Sequence, residues 1–241
     1  SVQPFDYTDG INTERYLESA FRNSSDLSSF SEELERQSRD WPTEYHLNRA
    51  RGNLLRDLQL SASSHVLEVG CGCGAITRVL AERYQRGSSV EGSYSRARLA
   101  KLRNRDCDHV DVICAPFQDV EFCEKFDVIF CIGVFEYSNV FVSAEDPFDH
   151  ILEYFRSLLK PNGRLVLAIE NQFGLKYMAG LPEDHTGVRY DGIEGYSRFE
   201  NRAKTFGKHE IGEMLSRHFD GLELLYPFPD YKLPRLIVND N

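Results

Sequence analysis

A glycine-rich loop and two acidic residues at predicted strand ends are the strongest chemical signal in this sequence. The loop follows a predicted strand, opens a predicted helix and reads Glu68-x-Gly70-x-Gly72-x-Gly74. Its glycines allow tight turning and close approach of a ligand, which the free N–H groups at the start of the helix can face. Glu91 ends the next predicted strand, where a carboxylate can accept hydrogen bonds from both hydroxyls of a ribose. These residues predict a nucleoside-bearing ligand, with helix capping by the two acids as the structural alternative.

The pattern argues against a dinucleotide as that ligand. Dinucleotide-binding loops have the spacing Gly-x-Gly-x-x-Gly, whereas the glycines here occur at every second position. A carboxylate at the strand end, as at Glu68, also does not suit a pyrophosphate.

Alternating strands and helices must hold these residues in place. Strands separated by helical crossovers form a mostly parallel sheet with helices on both faces. A Lys160-Pro161-Asn162-Gly163 turn is expected before the fifth strand. The predicted strands are 65–69, 88–91, 110–114, 126–132 and 165–169, and the main helices are 75–86, 93–103 and one around 148–159.

The two ends of the chain differ from this central pattern. Residues 1–60 are predicted to be a helical extension or lid, and residues 61–241 the main domain. Within the extension we predict helices at 12–22, after a Ser29–Glu32 capping box, and after a break at Trp41-Pro42 with Thr43 as cap. A long polar loop over 171–206, a helix at 209–219 and strands at 222–226 and 235–238 are expected in the C-terminal part.

These motifs together resemble a class I S-adenosylmethionine-dependent methyltransferase over residues 43–240. The resemblance depends on the loop from Glu68 to Gly74, on Glu91 and on the run from Phe126 to Tyr137. It implies a Rossmann-like, seven-stranded, mostly parallel sheet with an antiparallel terminal hairpin. It also implies S-adenosyl-L-methionine as cofactor and S-adenosyl-L-homocysteine as product. The cofactor contacts expected on this basis are Glu68, Gly70, Cys71, Gly72, Gly74, Glu91, Gly92, Phe117, Gln118, Ile132, Tyr45 and Arg51.

The expected contacts with adenine and with the helical region before the first strand differ from the rest. Pro116 stands where many family members have an Asp that meets the adenine amino group, so we expect the backbone near Phe117 and the side chain of Gln118 to replace it. Tyr45 and Arg51 belong to the helical region that closes over the cofactor in similar enzymes. The alternative for these two residues is a packed Tyr45 and a solvated Arg51.

Polar residues after the fourth and fifth predicted strands are the candidates for catalysis. Methyl transfer to a hydroxyl needs a group that removes its proton, and His185 is the first choice because its ordinary pKa is near neutrality. Glu136 and Glu170 are the other candidates. The alternative for His185 is a structural hydrogen bond in the loop. A further alternative is that the acidic cluster with His185 binds a divalent metal. The spacing of these residues matches no closed metal site, so no metal ligand is predicted.

The segments 169–180, 183–187 and 226–234 resemble methyltransferases found with glycosyltransferases in bacterial surface-polysaccharide (O-antigen type) pathways. This resemblance implies O-methylation of a sugar hydroxyl and fusion to or association with a glycosyltransferase. Its expected substrate-binding residues are Asn171, Tyr177, Asp184, Tyr231 and Lys232. The alternatives are methylation of a phenol, carboxylate or amine, and a non-catalytic cofactor-binding module of a larger glycosyltransferase.

The composition narrows the choice of partners and compartment. The chain has 28 Lys and Arg against 38 Asp and Glu, for a net charge of -10, which disfavours nucleic acid as a substrate. No stretch is long and apolar enough to span a bilayer, and we expect no signal peptide. The six cysteines form no Cys-x-x-Cys pair, which indicates the reducing cytoplasm.

Overall fold

The computed structural model describes residues 8–196 and 202–240, and it divides the chain into two compact units. Unit 1 comprises the chain up to Phe130, Leu159–Leu165 and the chain from Leu225 onward. Unit 2 comprises Cys131–Leu158 and Val166–Leu224. The predicted boundary between residues 60 and 61 stays a prediction. Residues 1–7 of the predicted extension and 197–201 of the predicted long loop lie outside the described residues.

A five-stranded sheet has the order β3-β2-β1-β4-β5. Pairing of β1 with β2 and of β2 with β3 is parallel, and the mostly parallel, Rossmann-like α/β fold is confirmed. All of β1 is buried, as is β4 except for Asp127, because their apolar runs suit strands covered on both faces. The strands are β1 His65–Val69, β2 Arg86–Glu91, β3 Val110–Cys114, β4 Phe126–Ile132 and β5 Leu159–Ala168.

The prediction of a single seven-stranded sheet is wrong. Strands β6 Leu225–Phe228 and β7 Leu236–Asn239 form a separate antiparallel pair. Pro227 lies within β6 and has no N–H to donate, so this strand is poorly suited to the interior of a sheet.

The predicted turn at residues 160–163 is also wrong, because these residues belong to β5. As the last strand in the order, β5 can accommodate Pro161. The ammonium of Lys160 lies 2.7 Å from an Asp127 carboxylate oxygen, and this ion pair helps to hold the extended segment.

The helices that precede β1 in the sequence pack against the glycine loop in unit 1. They are α1 Ile11–Asn23, α2 Glu32–Glu35, α3 Trp41–Leu47, a 3-10 turn at Arg49–Gly52 and α4 Asn53–Arg56. Leu17, Phe21 and Leu34 form one buried cluster with Leu47 and with Cys73 of the glycine loop. The N-terminal helices are therefore packed into unit 1.

Two predicted helix caps in this region are wrong. Ser31, not Ser29, caps α2 and accepts a hydrogen bond from the Leu34 N–H. Ser29 instead donates its backbone N–H and its hydroxyl to Glu82, a tertiary contact that local pattern does not predict. Asp40 caps α3 in a capping box with Thr43, so the Trp-Pro pair begins the helix instead of breaking it.

The remaining helices position the chain around the sheet and within unit 2. They are α5 Ala75–Arg83, α6 Tyr94–Arg103, α7 Ser138–Phe141, α8 Pro147–Leu158, α9 Leu175–Met178 and α10 Lys208–Ser216. In unit 2, Phe135 and Phe206 pack against Phe148 of α8 and build an aromatic core. Among the described residues, no helix is long and apolar enough to cross a membrane.

Candidate functional site

The glycine loop of unit 1 has the backbone that its sequence predicts. Gly70, Gly72 and Gly74 have φ angles of 72°, 56° and 84°, which favour glycine. A Cβ on Gly74 would lie 2.7 Å from the Ala100 Cα, so this glycine also allows the start of α5 to pack against α6. The N–H groups of Gly70 and Cys71 both donate to the Val90 carbonyl and tie the loop to β2.

Glu91 is buried at the end of β2 and faces the loop. Its Oε2 accepts a hydrogen bond from the Gly72 N–H at 2.8 Å, and its Oε1 accepts one from the Ser93 N–H at 2.9 Å. Each carboxylate oxygen has a further lone pair. Glu91 can therefore cap this turn and still accept hydrogen bonds from ribose hydroxyls. Gly92, another predicted contact, is half-buried beside it.

Glu68 serves a different purpose from Glu91 in the described contacts. Its Oε2 accepts hydrogen bonds from the Thr77 hydroxyl at 2.6 Å and the Ser89 hydroxyl at 2.8 Å, which join β1, α5 and β2. Burial raises the pKa of Glu68 to about 7, although the two hydroxyls and the charge of Arg51 oppose this shift. Glu68 thus joins the elements on either side of the glycine loop. Its direct contact with a ligand stays a prediction.

Replacing Glu68 with glutamine should stabilise the protein above neutral pH. Between the unfolded-state pKa of about 4.3 and the folded-state pKa of about 7, the folded state binds more protons, so stability falls as pH rises. The variant keeps an acceptor for both hydroxyls and removes this loss, which amounts to at most about 4 kcal/mol at pH 8.

The measurement is urea unfolding of both proteins at pH 5 and pH 8. The exposed Glu121→Gln is the matched control. An equal difference between Glu68→Gln and the wild type at both pH values would contradict the raised pKa.

Arg51 is buried, so the alternative of a solvated Arg51 is wrong. Its side chain donates from Nη2 to the Tyr45 hydroxyl at 2.9 Å and from Nη1 to the carbonyls of Tyr231 and Lys232. Its Nε is buried and has no hydrogen-bond partner among the described residues. Tyr45, Tyr231 and Lys232, predicted to meet cofactor or substrate, are thereby brought together around one guanidinium in unit 1.

Sequence reasoning missed a second polar group under the glycine loop. His46 Nε2 lies 3.0 Å from Asp9 Oδ2, and Arg96 Nη2 lies 3.4 Å from the same oxygen. Burial, the largest single effect, lowers the pKa of His46, but Cys73 and Asp9 raise it above its ordinary value overall. In the sequence, only the position of His46 on the buried face of a helix could have pointed to this group. Nothing in the sequence around Asp9 indicated that it would take part.

In unit 2, the candidate catalytic residues Glu136, Glu170 and His185 come together. The backbone N–H of Gly133 donates to the Ala168 carbonyl, which joins the segments that lead to the two acids. Glu136 is 1% exposed and Glu170 3%. His185 Nε2 lies 3.5 Å from Glu170 Oε2, and one ligand atom from each of the three residues lies within 4.8 Å of the others.

Tyr137 and three acids set the chemistry of the His185 imidazole. Its Nδ1 lies 3.1 Å from the Tyr137 hydroxyl, and the two rings meet edge to face. Burial, the largest effect, lowers the pKa of His185, but Glu170, Glu136 and Glu183 together raise it. Its backbone N–H donates to the buried Glu183, which also fixes the local loop.

The other predicted site residues belong neither to the group around Arg51 nor to the cluster of Glu136, Glu170 and His185. Tyr177 is buried, and burial together with Asp184, Glu170 and Glu183 raises the pKa of its hydroxyl. Asp184 forms an ion pair with Lys176 at 2.8 Å, and Asn171 is exposed. In unit 1, Phe117 is half-buried and Gln118 is exposed in a 3-10 turn, and Cys71 is buried in the glycine loop. Ile132, which belongs to unit 2, is buried at the end of β4. Their contacts with cofactor or substrate stay predictions.

The structure has a Rossmann-like sheet with a glycine loop after β1 and a buried acid at the end of β2, the arrangement from which the sequence predicts a nucleoside-bearing ligand. Residues 67–165 match the family model described as "Methyltransferase domain". A ubiquinone biosynthesis O-methyltransferase from Bradyrhizobium diazoefficiens is 28% identical over 120 residues, which are 49% of this chain and 44% of that relative. The chain thus spans less than half the length of this relative.

Solved methyltransferases share the fold. The N-methyltransferase NodS from Bradyrhizobium japonicum WM9, solved in complex with S-adenosyl-L-homocysteine, aligns with a TM-score of 0.56 at 17% identity, over 92% of this chain and 93% of that one. The CcbJ methyltransferase from Streptomyces caelestis aligns with a TM-score of 0.57 at 19% identity, over 78% and 89%. Together with the domain match over residues 67–165, these likenesses show that the chain has the fold of these methyltransferases.

Proposed function

We propose that this protein transfers the methyl group of S-adenosylmethionine to a sugar hydroxyl of a surface polysaccharide or its precursor. The observation that carries the proposal of a hydroxyl acceptor is the buried cluster of Glu136, Glu170 and His185 in unit 2. A hydroxyl must lose its proton as its oxygen is methylated, and a positioned imidazole or carboxylate can remove it. An amine that binds in its neutral form does not need such a group.

Unit 1 supplies the groups that would hold the cofactor. Glu91 accepts hydrogen bonds from the ribose hydroxyls, and the glycine loop allows the methionine part to approach the backbone. The Arg51 guanidinium, held by Tyr45, is suited to the carboxylate of the methionine part. The bound cofactor supplies the electrophilic methyl carbon, and the protein aligns the acceptor with it.

His185, Glu136 and Glu170 are the proposed centre for the acceptor proton. Glu170 and Glu136 raise the pKa of His185 and so strengthen it as a base. The proposed contacts with the sugar are Asn171, Tyr177, Asp184, Tyr231 and Lys232. As the resemblance of the loop segments implies, the proposal includes association with a glycosyltransferase. It also includes a cytoplasmic location. The six free cysteines suit a reducing compartment.

A phenolic hydroxyl is the second candidate acceptor. The relative from Bradyrhizobium diazoefficiens is named an O-methyltransferase of ubiquinone biosynthesis, and its similarity to this chain favours an oxygen acceptor without favouring a sugar. The proton-removing cluster would serve a phenol in the same way.

An acceptor screen with methyl-labelled S-adenosylmethionine tests the proposal. We expect label on a hydroxyl of rhamnose- or mannose-type oligosaccharides or nucleotide sugars. Transfer to phenols alone would replace the sugar by the second candidate. Cofactor binding without any transfer would indicate a non-catalytic module, with Glu91→Ala as the control in which cofactor binding is weakened.

A further inference from the structure

We propose that Glu136, Glu170 and His185 are the ligands of a divalent transition-metal cation. The sequence alone predicts no metal ligands, because the three residues are far apart along the chain. The tertiary structure brings one nitrogen and two carboxylate oxygens within 4.8 Å of one another. Binding of the cation follows from this geometry alone, whereas its part in catalysis rests on the proposed function.

The distance between His185 and Glu170 suits shared coordination better than a hydrogen bond. Nε2 and Oε2 are 3.5 Å apart, whereas hydrogen bonds between such atoms are about 2.7–3.2 Å long. Two ligands that are each about 2.1 Å from a tetrahedral ion lie about 3.4 Å from each other. A small shift of either side chain would therefore seat both atoms on one ion.

The His185 ring provides independent evidence for a ligand. Its side chain is 9% exposed, and Nε2 has no hydrogen-bond partner in the described part of the chain. The other ring nitrogen lies 3.1 Å from the Tyr137 hydroxyl. Donation from Nδ1–H to that hydroxyl leaves the Nε2 lone pair directed at the two acids. Metal-binding histidines are commonly oriented by such a bond on the second nitrogen.

Buried negative charge favours a cation at the same place. Glu136 and Glu170 are 1% and 3% exposed, and their charges act together on His185. Buried carboxylates are costly unless they are paired or bind a metal. One oxygen of each acid lies within 4.8 Å of a His185 ring nitrogen, so the same ion could bind all three.

The ligand types define the class of ion. Imidazole binds zinc and other transition metals well, carboxylates also bind manganese, and neither Mg²⁺ nor Ca²⁺ prefers a nitrogen ligand. We therefore expect Mn²⁺ or Zn²⁺. A hydroxyl bound to such an ion loses its proton more easily. In this form of the mechanism His185 holds the ion, and the ion, not the imidazole, makes the acceptor hydroxyl reactive.

The group of Asp9, His46 and Cys73 in unit 1 is the natural control. Its ligand atoms are equally close together. However, His46 Nε2 already lies 3.0 Å from Asp9, and the Arg96 guanidinium next to the same carboxylate opposes a second positive charge. Mn²⁺ also has little preference for a thiolate.

Mn²⁺ titration of the EDTA-treated, dialysed protein tests the inference by electron paramagnetic resonance, without any need for activity. We expect one bound ion per chain, with roughly 100-fold weaker binding in Glu136→Gln and Glu170→Gln and unchanged binding in Cys73→Ser. Circular dichroism checks that each variant is folded. If neither Mn²⁺ nor Zn²⁺ binds, or if the glutamine variants bind as the wild type does, the inference is wrong.

Methyl-transfer assays with and without the metal distinguish a failure of this inference from a failure of the proposed function. We expect the EDTA-treated enzyme to lose methyl transfer and Mn²⁺ to restore it. Full transfer in the metal-free enzyme would overturn the catalytic part of the inference and would leave His185 as the base, with O-methylation intact. Metal binding together with transfer only to amines would instead refute the hydroxyl acceptor.

Discussion

Replacing Glu91 with alanine should weaken S-adenosylmethionine binding by about 100-fold or more. Two ribose hydroxyls would lose their charged acceptor, and each such hydrogen bond contributes about 1.5–3 kcal/mol. The Gly72 N–H would also lose its partner at 2.8 Å, so the glycine loop would be less well ordered for the cofactor. Isothermal titration calorimetry with S-adenosylmethionine and S-adenosylhomocysteine measures the effect.

Two further variants make this result specific. Glu91→Gln keeps one acceptor oxygen and should bind with an intermediate affinity. Glu121→Ala removes an exposed charge of unit 1 and should bind as the wild type does. An unchanged dissociation constant in Glu91→Ala would refute the assignment of Glu91 to the ribose, even though the fold is that of a methyltransferase.

His185→Ala should lower kcat by about 10²- to 10⁴-fold, the usual contribution of a positioned proton-transfer group. The described contacts of His185 are with Tyr137, Glu170 and Glu183. None of these is a proposed cofactor residue, so the dissociation constant of S-adenosylmethionine should change little. The measurement combines methyl transfer at saturating acceptor with calorimetry of the cofactor. A loss confined to kcat would locate the role of His185 in the chemical step.

His209→Ala is the matched control for this experiment, because His209 is an exposed histidine on α10 of the same unit. Its activity should equal that of the wild type. Tyr137→Phe removes the hydroxyl 3.1 Å from His185 Nδ1 and should lower kcat less than the loss of the imidazole does. A fully active His185→Ala variant would remove this residue from the mechanism.

Three strands could be predicted residue by residue. The bounds of β1, β3 and β4 agree with the structure. The mostly apolar runs of β1 and β4 each end directly before a glycine, which marks the end of the strand. The helix caps near Ser29 and Ser31 could not be predicted in this way. Both serines fit the local pattern, and the contact between Ser29 and Glu82, far along the chain, determines which of them caps the helix.

The sequence by itself determined the mostly parallel α/β fold and the motif on which the proposed cofactor site rests. The glycine spacing, the acid at the end of β2 and the order of strands and helices are local features, because each depends on backbone conformation and on neighbouring residues. Only the tertiary structure decided that Arg51 is buried against Tyr231, that β6 and β7 form a separate sheet, and that His185 meets Glu136 and Glu170. These contacts join distant parts of the chain, and they depend on how whole elements pack and on which buried charges come together.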